Sequence, residues 1–176
     1  LTREHYEADN SIPKSQMLTE FIDTLNAKAR FASDVHTVFI RVAEKEGHIY
    51  FDLGDENWDV VKISSEGWEV TSNPPVKFTR PKSLLALPKP ERGGSIEDLN
   101  KFLNVRDEDR ILVIGFLLFC LSPCGPFPIM IVQGEQGSAK STFGLVMRKL
   151  IDPSSAMSRS VPTNEQDLLI AAQNGW

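Results

Sequence analysis

Residues 133–142 read Gln-Gly-Glu-Gln-Gly-Ser-Ala-Lys-Ser-Thr, and no other stretch constrains the fold as strongly. They follow G-x-x-x-x-[G/A]-K-[S/T], a phosphate-binding loop with Ala139 where the pattern usually has its second Gly. Such a loop must leave a strand and open a helix, because the helix dipole and first-turn amides supply the anion site. Residues 128–132 (Pro-Ile-Met-Ile-Val) form an apolar run that suits a strand buried on both faces. After the loop, Phe143, Val146, Met147 and Leu150 recur at helical spacing.

The chemistry assigned to the loop follows from residue type. Gly134 and Gly137 allow dihedrals and close approaches that a side chain would block. Glu135, Gln136, Ser138, Ala139 and Thr142 complete the backbone cradle. Lys140 brings a point charge to the outer phosphates, and the Ser141 hydroxyl is placed to sit on Mg²⁺ held with the nucleotide. The expected ligands are ATP and Mg²⁺. Ala139 is expected to be tolerated because it falls where the helix begins and Ala is the best helix former.

The N-terminal half has a different period. Residues 1–12 are polar and read as a loose terminus, followed from Pro13 by a helical stripe of Met17, Leu18, Phe21, Ile22, Leu25 and Ala29. Asn10 or Ser11 is the expected cap. Alternation of period two then runs through residues 36–43, 49–53, 59–64, 68–71 and 76–79, with hairpin signals at Glu46-Gly47 and Glu66-Gly67. This predicts a small antiparallel β meander packed on the first helix. Residues 73–95, rich in Pro and Gly, read as a connector. They also carry a local basic bias, Lys77, Arg80, Lys82, Lys89 and Arg92, that could touch a nucleic-acid backbone.

Past the connector, Ser95-Ile-Glu-Asp98 starts a short helix to about Leu103, and residues 111–121 predict a buried apolar helix. Asp152-Pro153 is a stop signal, and residues 164–173 predict a further helix closed by Asn174-Gly175. Four segments result: 1–34, tail and packing helix; 35–80, β module; 81–95, linker; 96–176, the front part of a P-loop ATPase domain. The fold class is thus an α+β N-terminal part followed by an incomplete α/β P-loop NTPase domain. Its acid-bearing second nucleotide motif is not found after Thr142, so this chain is expected to bind nucleotide weakly and not to turn it over. The start at Leu1 reads as processing or as a piece of something longer.

Other candidates are weaker. His36 and His48 lack the partners of a metal site and read as strand-end residues. Asp52, Asp55 and Glu56 at a turn are expected to cap backbone amides. Trp58 and Trp68 are expected to serve packing before base stacking. Cys120 and Cys124 read as buried thiols of a reducing cytoplasm. A net charge of −5 leaves DNA contact to local patches, and no run reaches the ~20 apolar residues of a membrane span.

The blocks "IYFDLGDENWDVVKIS", "GWEV", "PPVKFTRPKSLLALP", "GGSIEDLNKFLNV", "CGPFPIMIVQGEQGSAKSTF" and "DLLIAAQNGW" resemble a family of bacterial prophage and integrative-element proteins. These are described as ATP-binding and primase/helicase-like, and are similar to superfamily-three helicases of the AAA+ class. The resemblance spans residues 38–176. It implies a DNA-directed ATPase working as a homo-oligomeric ring, with Gly134, Gly137, Lys140 and Ser141 in the nucleotide-binding roles above. The alternatives are a nucleotide-dependent regulatory module without motor activity and a P-loop kinase.

Overall fold

The computed structural model describes residues 6, 10–11, 14–32, 34–156, 164–167 and 169. The chain divides into two compact units, Leu1–His36 and Thr37–Trp176. The first unit contains α1, Ser15–Phe31, none of whose residues is buried. Its cap is Lys14 and makes no side-chain hydrogen bond, so neither Asn10 nor Ser11 caps it. Met17, Phe21, Ile22 and Leu25 of the expected stripe are all exposed.

The second unit opens with β1 (Val38–Phe39), β2 (Val42–Lys45), β3 (His48–Asp52), β4 (Val60–Ser64), β5 (Gly67–Thr71) and β6 (Lys77–Phe78). Strands β2-β3-β4-β5 form the antiparallel meander in sequence order, while β1 and β6 pair in parallel as a separate ribbon. Both hairpins turn where expected. Glu46 and Gly47 have φ of 56° and 74°, and Gly67 has φ of 128°; positive φ at both central residues suits a tight hairpin turn. Pairing of Val42 with Phe51 and of Phe51 with Val61 lines up one apolar face. Leu53, Trp68, Leu87 and Leu121 pack with that face. Ala43, Tyr50, Val60 and Val76 form the opposite core with Phe39 and Phe78. Both faces are therefore covered.

The run expected as one strand from 36 to 43 breaks at Arg41, which has φ of 58°. A Val42 N–H to Ile40 carbonyl hydrogen bond of 2.6 Å closes the kink. The cause is the side chain, which is fully buried. Its Nε donates to Asp152 Oδ1, Nη1 to the Asp52 carbonyl and Nη2 to the Leu85 carbonyl, each at 3.0 Å. Burial pulls the guanidinium's pKa down, and Asp152 and then Asp52 pull it back up. An uncompensated buried charge costs several kcal/mol, so these partners are obligatory.

The Pro-rich stretch expected as a solvated connector is fastened at several points. Leu84 bridges Ser154, Leu85 N–H donates to the Pro153 carbonyl, and Leu87 N–H donates to the Leu53 carbonyl. Its basic residues are largely engaged within the chain. Arg80 forks onto Asp52 (2.6 and 2.9 Å) and lies 3.7 Å from the Trp58 ring centroid. Lys89 pairs with Asp59, and Arg92 covers Trp68 at 4.8 Å. The hydrogen bond from Lys89, then that from Ser72, holds the Asp59 carboxyl below its ordinary range. Asp55 caps the Asp59 N–H at 2.8 Å, and His48 begins β3 with Nδ1 2.8 Å from the Glu46 carbonyl oxygen.

Replacing Arg41 by Met removes the 3.0 Å ion pair from the buried Asp152 carboxylate. Unfolding free energy should fall by about 3–5 kcal/mol, read from urea denaturation, and Arg41→Met/Asp152→Leu should recover much of it. A single-variant loss below about 1 kcal/mol would show that the pair does not hold the unit together.

Candidate phosphate-binding site

The site is built by three segments of the second unit. A 3₁₀ helix, Ile96–Lys101, starts at Ser95, whose hydroxyl accepts from the Glu97 N–H at 3.2 Å. The short helix expected here is thus 3₁₀. A second 3₁₀ turn, Asp107–Asp109, leads into α2, Arg110–Phe119. The candidate loop, residues 134–139, then leads into α3, Lys140–Ile151, which ends before Pro153 as the stop signal predicts. Val113 of α2 and Phe143 and Met147 of α3 make the core, against which Leu103, Val105, Phe116, Leu117 and Met130 pack.

Two expectations fail around this core. Helix α2 buries only Val113; Ile111, Leu112, Leu118 and Phe119 are exposed. Residues 128–132 form no ladder with any described residue, and Ile129 and Ile131 are exposed. The two failures share one physical origin. An apolar run becomes a doubly buried strand only where neighbouring strands satisfy its backbone and cover its faces, and among the described residues none does. Met130, which points to the core, is the half-buried member of the run.

The loop itself curls around the Lys140 ammonium. Nζ donates to the Gly134 carbonyl (2.8 Å), the Glu135 carbonyl (2.6 Å) and Ser138 Oγ (3.3 Å). A Cβ at Gly134 would sit 2.6 Å from Ser138 Oγ, so a side chain there would turn that hydroxyl away from Lys140. Gly137 is needed for conformation, with φ of 84°. Ala139 caps α3 at φ 62° and ψ 25°. It stands just outside the helix in the left-handed region, so helix propensity does not explain its tolerance. The position is one where Gly would be less strained. Glu135, Gln136, Ser141 and Thr142 are exposed around the loop. The amides of Lys140, Ser141 and Thr142, in the first helical turn, have no carbonyl within the helix to bond and are free to meet an anion.

One wall of the site was not visible as such in the sequence. Lys101, Phe102, Leu103, Asn104 and Val105 line a cleft of about 390 Å³ together with Val132, Gly134, Ser138, Lys140 and Phe143. Period-two alternation in residues 102–105 is the signal that could have shown it, because it turns Leu103 and Val105 to the core and leaves Phe102 and Asn104 exposed.

Of the other candidates, Trp58 is half exposed with Arg80 against its ring, and Trp68 packs on the sheet core. Cys120 is half-buried, which raises its thiol pKa, whereas Cys124 is exposed, contrary to expectation. Among the described residues, no group of three His, Cys, Asp or Glu side chains could hold a metal ion, and no helix is long and apolar enough to cross a membrane. The predicted C-terminal helix is described only at its start. There Asn164 Oδ1 accepts from the Asp167 N–H at 2.7 Å, while Asn174, Gly175 and residues 1–5 lie outside the described residues.

Ala139→Gly should raise unfolding free energy by roughly 0.5–1 kcal/mol, since it relieves the left-handed alanine. An unchanged or lower stability would mean that this backbone is unstrained.

Residues 96–176, a little under half of the chain, match the model of a family described as actinomycete integrative conjugative element replication protein. The C-terminal part is thus similar to replication proteins of mobile elements, as the mobile-element side of the sequence resemblance anticipates. No curated protein and no solved structure matches the chain.

Proposed function

We propose that residues 134–142 hold the phosphates of Mg-ATP, and that the chain is the nucleotide-binding portion of a mobile-element replication ATPase acting on DNA. One observation carries the reading: the Lys140 ammonium sits inside the loop, 2.6–3.3 Å from three oxygens, at the mouth of a 12-residue helix. Those oxygens hold the cation in place without neutralising it. A triphosphate entering the mouth meets a fixed positive charge and first-turn amides together. Ser141 follows at the next position of the helix, where its hydroxyl reaches a nucleotide-held Mg²⁺.

Similarity to replication proteins supports a DNA-directed role for this nucleotide site. The local basic residues give that role little help, because Arg80 and Lys89 are paired with Asp52 and Asp59. DNA contact, any homo-oligomeric ring, hydrolysis and helicase-like AAA+ activity are not assigned to these residues.

Lys140→Ala should weaken Mg-ATP binding at least about tenfold in calorimetric titration, the loss expected for a charge-assisted phosphate contact. Equal affinity in the two proteins would contradict the assignment. If the complete protein hydrolyses ATP without any response to DNA, the nucleotide acts as a regulatory switch.

A further inference from the structure

We infer that the strip Lys101–Val105 is the base-recognition wall of the site, with Phe102 as the residue on which the nucleotide base stacks; this rests on the phosphate assignment to Lys140. The cleft is lined both by the loop, through Gly134, Ser138 and Lys140, and by the strip, through Lys101, Phe102, Leu103, Asn104 and Val105. Its volume of about 390 Å³ lies within the range of small-molecule sites, roughly 300–1,000 Å³. A triphosphate alone has no aromatic group to set against Phe102 of the strip.

The strip is held firmly enough to serve as a platform. Leu103 and Val105 are packed against the core that also contains Phe143 at the base of the loop, so strip and loop share one support. Phe102 lies between these anchors and the 3₁₀ helix, to which its N–H is bonded through the Leu99 carbonyl at 2.9 Å. Phe102 is nonetheless 64% exposed. A large aromatic fixed at its backbone and open at its face, beside a phosphate loop, matches the sequence-tolerant stacking that proteins use for bases. Lys101, which also lines the cleft, pairs with Asp98 at 2.6 Å, and Asn104 adds an amide beside the ring.

The test compares Mg-ATP with Mg-tripolyphosphate, which has the phosphates and no base. In wild type, ATP should bind more tightly than tripolyphosphate. Phe102→Ala should weaken ATP about tenfold, within the range of base–aromatic stacking, and leave tripolyphosphate within about twofold. Phe102→Trp should keep the ATP affinity, which a merely structural loss would not do. Unchanged ATP affinity in Phe102→Ala, with Lys140→Ala still losing both ligands, would overturn the base wall and leave the phosphate loop standing. A wild-type protein that binds neither ligand would overturn both.

Discussion

The buried pair between Arg41 and Asp152 organises the second unit. Arg41 lies at the entrance to the meander and Asp152 at the end of α3, so one guanidinium joins elements more than a hundred residues apart in sequence. Its remaining donors reach the Asp52 and Leu85 carbonyls, which also brings in the end of β3 and the Pro-rich stretch. Gly54 makes this closure possible. A Cβ there would stand 2.6 Å from Leu84 and 3.1 Å from Arg41 Nη1. The desolvation of so many charged groups is offset only when all of them are satisfied together. Helix α3, which follows the candidate loop, is thereby anchored at its C-terminal end.

A second layer of charge lies against the first. Asp52 is fully buried and accepts the forked Arg80 guanidinium, whose far face lies against Trp58. Residues that look basic and aromatic in sequence are thus largely spent on internal structure. This removes the simplest argument for nucleic-acid binding by the β module.

Legibility in the sequence followed the range of the interactions. Local ones were plain: the period-two strands, the Glu46-Gly47 and Glu66-Gly67 turns, the stop at Asp152-Pro153, and the loop with its helix. Interactions that need a distant partner were not. Arg41, inside the apolar run Phe39-Ile-Arg-Val-Ala43, was a warning of a buried ion pair, but nothing local names Asp152 as its partner. Periodicity likewise described residues 128–132 as a doubly buried strand, yet burial depends on neighbours, and Ile129 and Ile131 stay exposed. In the candidate site, the spacing named residues 134–142, and the structure added the left-handed conformation of Ala139 and the placing of Phe102 beside the loop.

On the proposed function, residues 134–142 close on a triphosphate while the meander serves as support. Amide hydrogen exchange with and without saturating Mg-ATP tests it most directly, since exchange reports local opening segment by segment. Protection should rise in peptides covering residues 133–143, with β2 through β5 unchanged. No change in the loop at saturating Mg-ATP, or protection confined to the sheet, would contradict the account.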